Sequence, residues 1–156
     1  KQSITTAIDY ASLFRRLGGN YPLFELHYNP HRFRLFNPDG WNEVFYLTTL
    51  VMIERPDIKG VFGAAWFYDP EIKKISPELS YIRELIERIG GEFFFFSSSE
   101  KDKKNAFALS KARKVAYEEG RYLPKSYMMI IPKGNLLKFY HLDEAQITSG
   151  KTITSN

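Results

Sequence analysis

His27 and Asp69 have the side chains best suited to moving a proton. An imidazole titrates near neutrality and is a natural general base; a carboxylate can orient that base or take the proton itself. Each follows or closes an apolar stretch that reads as a β-strand, Pro22–Tyr28 for His27 and Ile58–Tyr68 for Asp69. A third stretch, Glu92–Ser97, runs into Ser98 and Ser99. In open α/β sheets, ligands collect outside the carboxyl ends of parallel strands. That rule gathers His27, Trp66, Tyr68, Asp69 and Ser97 to Ser99 along one rim, with Trp66, Tyr68, Ser98 and Ser99 as expected substrate contacts. A helix starting just after the serines adds backbone N–H donors suited to an anion. Every one of these residues also has a structural reading. His27 can simply bond Glu25, Asp69-Pro70 can be a strand-ending turn, the serines can be caps, and the aromatics can be packing.

The rim exists only if the chain folds as strands alternating with helices. The pattern supports this. A helix is expected over Thr6 to Leu17, with Ile8, Leu13, Phe14 and Leu17 as its stripe and Gly18-Gly19 as its stop. In Pro22–Tyr28, Phe24, Leu26 and Tyr28 alternate with Leu23, Glu25 and His27. Asn37-Pro38-Asp39 is a cap, a first-turn proline and an acid at the positive end of the dipole. The helix it starts runs to about Arg55, with Trp41, Val44, Phe45, Thr48, Val51 and Met52 on one face. Ile58–Tyr68 is nearly all apolar, as a central strand covered on both faces would be. Its Gly60, Gly63, Ala64 and Ala65 leave room for a helix or ligand. A helix over Ser76 to Ile89 carries Leu79, Ile82, Leu85, Ile86 and Ile89, and Gly90-Gly91 ends it. One basic helix is expected from Ser98 or Ser99 to Gly120. Ser126–Ile131 is a strand, and Leu136–Tyr140 reads as another, paired through the turn Pro132–Asn135. The expected fold is a single α/β domain over residues 1–142, three-layered, with a mixed and mainly parallel sheet. From Asp143 onward the composition is polar, as in a poorly ordered tail.

Composition limits the chemistry. The chain has 156 residues, 44% hydrophobic and 26% charged, with a formal charge of +4. These are the proportions of a soluble globular domain, and no apolar run approaches the roughly 20 residues that span a bilayer. No membrane partner is expected. With no cysteine, a disulfide scaffold, a thiol nucleophile and a Cys-ligated metal centre are all excluded. A reducing, cytoplasmic setting fits, and no metal site is expected from the three histidines. The start at Lys1 lacks a basic–apolar–small signal pattern and reads as processed or as a fragment. There is no G-x-S-x-G elbow and no G-x-G-x-x-G fingerprint. Ser149–Thr152 matches only the end of a phosphate loop, because Ala145 stands at its first glycine.

The charge is concentrated. Residues 101–125 hold eight basic and three acidic side chains, a net of +5, so the rest of the chain sums to −1. Such a run is a solvated face or a surface for phosphates, on nucleic acid or on a phosphorylated cofactor.

From Ile58 to Pro132 the element order resembles the C-terminal half of the GNAT (Gcn5-related N-acetyltransferase) superfamily. Phe62 to Asp69 resembles that family's central strand, Ser76 to Ile89 its pyrophosphate-side helix, and Phe93 to Ser97 the next strand. Asn105, Ala106, Tyr117, Gly120 and Tyr122 are similar to a stretched form of its last helix pattern. The resemblance implies transfer of an acyl group from acetyl-CoA or another acyl-CoA to an amine, on a small molecule or on a protein. It also implies that His27 or Asp69 takes the amine proton and that Tyr117 or Tyr122 protonates the leaving thiolate. Lys73, Lys74 and Ser76, with Asn105, would hold the cofactor; Glu71–Ser76 has lysines where the family has glycines. The other expectation is a non-catalytic module that uses the basic segment on nucleic acid or a protein partner.

Overall fold

The computed structural model describes residues 22–27, 36–108 and 110–143, with Ala11, Ser12, Arg15 and Gly19 ahead of them. The helix read over 6–17 falls mostly outside these residues, and so does the polar tail from 144 onward. The fold is α/β, with strands β1 (Phe24–Glu25), β2 (Gly60–Ala65), β3 (Glu92–Ser97) and β4 (Ser126–Pro132). Its helices are α1 (Pro38–Glu54), α2 (Ile72–Ile75), α3 (Ser80–Ile89), α4 (Glu100–Phe107), α5 (Lys111–Glu118) and α6 (Lys133–Phe139).

The strands lie in the order β1-β2-β4-β3. Lys59 N donates to Pro22 O at 3.1 Å, which sets the start of β1 beside the start of β2. Lys133 N donates to Lys59 O at 2.8 Å, so the end of β4 meets the start of β2 and the two run in opposite directions. β3 is antiparallel to β4, with Glu92 opposite Ile130 and Phe95 opposite Tyr127; a bulge then sets Ser97 opposite Ser126. Three strands therefore share a direction, and β4 is inserted between two of them. The sheet is mixed, as expected, but not mainly parallel in its pairings: among the described residues only β1 with β2 is parallel, β4 is antiparallel to both its neighbours, and no terminal hairpin forms. Leu136–Tyr140, read as a fifth strand, is instead part of helix α6 and its end. Pro132 already closes β4, and a five-residue apolar run fits a short helix as well as a strand.

The chain divides into two compact units, Lys1–Val61 with Ile131–Asn156, and Phe62–Ile130. In the first, Asn37 Oδ1 accepts from Gly40 N at 2.8 Å and starts α1. The buried stripe of α1 is Trp41, Phe45, Thr49, Met52 and Ile53. Val51, expected inward, is exposed, while Val44 and Thr48 are half-buried. A helix apolar over most of its surface allows more than one stripe to be read. α6 packs on α1: Lys133 Nζ donates to Met52 O at 2.6 Å and Tyr140 Oη to Asn42 O at 2.9 Å. A cation near the helix carboxyl end also suits its dipole.

In the second unit the stripe of α3 is Ile82, Leu85, Ile86 and Ile89, and Gly90 ends it with φ 86°. The apolar run through Tyr68 is strand only as far as Ala65; Trp66–Tyr68 is a 3-10 turn. Glu71–Ser76, the segment with lysines where the resembled family has glycines, contains the single-turn helix α2. The expected basic helix is two helices. Ser110 Oγ accepts from Arg113 N at 3.2 Å and caps α5 afresh.

Candidate functional site

β2 ends in the 3-10 turn, and Asp69 follows it at once. Asp69 N donates to Trp66 O at 3.2 Å, and Ile72 N donates to Asp69 O at 3.0 Å. The residue is 1% exposed. Its Oδ1 accepts from Glu71 N at 3.1 Å, whereas Oδ2 has no hydrogen-bond partner. Burial raises the Asp69 pKa above 3.8; the Glu71 amide, together with the amide and charge of Lys125, pulls the other way. A buried carboxyl with one unpartnered oxygen and a raised pKa is a candidate for proton exchange.

Two tyrosines sense this carboxylate. Tyr122 is buried in the cluster with Ile72 and Ala116, and its hydroxyl also has no partner. Burial first, then the charge of Asp69, raises its pKa, while Arg113 opposes the shift. Tyr127 is raised by the same two causes in the same order. Arg113 itself is buried. Its Nε donates to Ala106 O at 2.6 Å, one terminal nitrogen donates to Ser76 Oγ at 2.9 Å, and the guanidinium lies 4.5 Å from the Trp66 ring centre. Desolvation lowers its pKa.

Asp69 lines a cleft of about 190 Å³ between α2 and α3, with Phe67, Pro70 and Ile72 as apolar wall. Ion pairs flank it, Lys73 with Glu84 at 3.5 Å and Arg83 with Glu87 at 2.8 Å. Arg83 also donates to Tyr68 O at 2.6 Å and lies 3.9 Å over the Phe93 ring.

Every expected site residue except His27 lies in the unit Phe62–Ile130, and within it Trp66 packs on the cluster that holds Tyr122. Tyr68 is buried, with its pKa raised by desolvation. His27 belongs to the other unit; its side chain is 78% exposed and pairs with Glu25 at 3.1 Å. Tyr117 stacks on Phe107 at 5.3 Å, with Lys103 Nζ 5.3 Å from its centre. Asn105 is exposed on α4. Ser98 Oγ donates to Pro124 O at 2.9 Å. Ser99 caps α4 in a reciprocal box with Asp102. Lys73 and Lys74 are exposed, and Lys74 pairs with Glu71 at 3.0 Å. The amides of Glu71, Ile72, Lys74, Ile75 and Ser76 are all spent inside the turn.

Sequence reasoning missed three groups. Arg113, counted among the surface cations, lies on the buried stripe of α5 with Ala116; its i, i+3 spacing to that alanine was the available signal. Arg83 carried no signal beyond its place on an amphipathic helix. Asp102, counted only as an acid in a basic run, is a buried hub. It accepts from Ser97 Oγ at 2.6 Å, Ser99 N at 2.7 Å, Ser99 Oγ at 2.8 Å and Ser126 Oγ at 2.5 Å. These hydrogen bonds outweigh burial and bring its pKa down to about 2. The Ser99-x-x-Asp102 spacing is a capping-box signature that reasoning from sequence could have read.

Among the described residues, no group of three or more His, Cys, Asp or Glu is placed to hold a metal, and no helix is long and apolar enough to cross a membrane. No family model matches the chain, and no curated protein or solved structure matches it either.

Proposed function

We propose that the Asp69 cleft is an acid–base site for acyl transfer to an amine. The observation that carries this is the buried Asp69 carboxyl, with Oδ2 unpartnered, just past the 3-10 turn that follows β2. Asp69 Oδ2 takes the proton of the bound amine, and burial has already raised its basicity toward that task. Tyr122, kept protonated by burial and by the Asp69 charge, is the hydroxyl we assign to returning a proton. Asp69 is preferred to His27 as base because His27 is exposed and already paired with Glu25. An acyl-CoA would supply the activated acyl group and a thiolate leaving group. Its phosphates would be met by the side chains of Lys73 and Lys74, since the turn's amides are taken. Ser76 supports the site indirectly, through Arg113.

Thermal denaturation with millimolar acetyl-CoA tests this. Ligand at about 100 times its Kd adds about 2.7 kcal/mol, several degrees for a domain of this size. No shift with either CoA or acetyl-CoA would remove CoA thioesters as donors.

A second reading, a polyanion-binding face, has its own support. Lys101, Lys104 and Lys111 are exposed and make no ion pair among the described residues, whereas Lys103, Lys114 and Arg121 pair with Glu100, Glu118 and Glu119. Affinity for a nucleic acid that falls with salt, and falls again on neutralising these three lysines, would favour it. Salt-independent binding, or none, would remove it.

A further inference from the structure

β3 contains four phenylalanines in a row, Phe93 to Phe96, and the last two stand out of the fold. Phe94 is buried, and Arg83 of α3 lies 3.9 Å over the Phe93 ring, so the first half of the run is covered. Phe95 is 51% exposed and Phe96 61%. Strict alternation would turn Phe96 to the side of the buried Phe94. The bulge between Phe95 and Ser97 breaks that alternation and leaves the ring outside. Tyr127 on β4 supports Phe95 edge-on, with ring centres 6.0 Å apart. Two adjacent exposed rings on a paired strand make a continuous apolar step, unlike a scattered surface side chain.

Cations stand next to this step. Ser97 and Ser99 both donate to Asp102, which holds the link from β3 into α4 short and fixed. Lys101 and Lys104 follow at once, neighbours on the surface of α4, exposed and without an ion pair among the described residues. Flat rings beside point cations match a strand whose bases are unpaired: rings stack bases, and lysines meet phosphates. A duplex keeps its bases stacked on one another and offers the rings nothing.

We propose that Phe95 and Phe96, with Lys101 and Lys104, bind single-stranded nucleic acid, neighbouring bases stacking on the rings and the adjoining phosphates lying on the lysines. The proposal rests on the polyanion reading above and deepens it by naming unpaired bases as what is recognised.

The test is fluorescence anisotropy of the full chain with labelled single-stranded dodecathymidylate, an abasic strand of the same length and charge, and a duplex of the same length. Thymidylate should bind about ten-fold or more tightly than the abasic strand, since stacking supplies about five-fold or more per base. Phe96→Ala should weaken thymidylate by about five-fold or more and leave the abasic strand and the duplex unchanged. Phe95→Leu should act in the same direction, and Phe96→Tyr, which keeps a ring, should hold the parental affinity. Replacing Lys101 and Lys104 together by glutamine should weaken both single strands alike and cut the salt slope by about 0.7 per lysine. Equal affinity for the two single strands overturns the proposal, as does unchanged affinity in both Phe96→Ala and Phe95→Leu, or a salt slope indifferent to the lysine pair. Equal single strands with a lysine-dependent slope would leave the polyanion reading standing alone; no binding of any probe would remove both. A parent dimer that Phe96→Ala dissociates, with thymidylate affinity unchanged, would give the rings to a second copy and likewise overturn the proposal.

Discussion

The Glu71 amide donates to Asp69 Oδ1 at 3.1 Å and leaves Oδ2 of the same buried carboxyl without a partner. One oxygen holds the turn into α2, and the other is buried without a hydrogen-bond partner. The turn-forming reading of Asp69 thus belongs to Oδ1, and the proposed proton acceptor is Oδ2 of the same side chain.

This division has a cost in stability that depends on pH. The folded pKa of Asp69 lies above its ordinary value of 3.8, so its favourable contribution is present below that value and is lost as pH rises through the folded pKa. Asp69→Asn keeps the Glu71 bond and carries no charge. The variant should match or exceed the parent in Tm at pH 8, with the gap in its favour shrinking toward pH 4. A variant that loses more stability at pH 8 than at pH 4 would contradict this.

Asp102 behaves in the opposite sense. Its pKa is brought down to about 2, so its stabilisation is present above about 3.8 and disappears as pH falls through 2. Asp102→Ala removes the capping box and the partner of three serine hydroxyls, at a cost of about 2 kcal/mol near neutrality. Urea denaturation at pH 7 and at pH 2 should give a clear difference at the first and a much smaller one at the second.

Arg113 is a positioning residue for the wall around Tyr122. Arg113→Met leaves the Ala106 carbonyl and the Ser76 hydroxyl unpaired, and should cost about 2 kcal/mol. Arg113→Lys keeps the charge but cannot span both partners from one planar fork, and should recover only part of the loss. Full recovery by lysine in a denaturation series would show that charge alone matters.

Gly60 was read as a place where a helix or ligand comes near, and the close neighbour is the backbone of β4. A Cβ at Gly60 would stand 2.5 Å from Ile131 O. Gly60→Ala should cost about 1–3 kcal/mol through overpacking. A neutral substitution would mean that β2 and β4 shift apart without penalty.

What was legible in the sequence was local. The cap at Asn37, the stripe of α3, the stop at Gly90 and the break at Pro132 are written in residue types within a few positions. Insertion of β4 between β2 and β3 was not, because pairing order depends on contacts far apart in sequence. The helix α6 was misread since Leu136–Tyr140 is too short to carry a period. At the candidate site, the strand-end rule singled out Asp69, but β2 stops at Ala65 and a 3-10 turn carries the chain on to it, and its one unpartnered oxygen depends on where the Glu71 amide falls in space. Arg113 was hidden by composition: in a lysine-rich segment, a buried cation looks like one more surface charge.

The most direct test is release of free thiol from acetyl-CoA in the presence of n-butylamine, with the parent chain and with Asp69→Asn. Amine-dependent release is expected from the parent, with a fall of about 10²- to 10⁴-fold in the folded variant. Release that ignores the amine, or that survives Asp69→Asn unchanged, would contradict it.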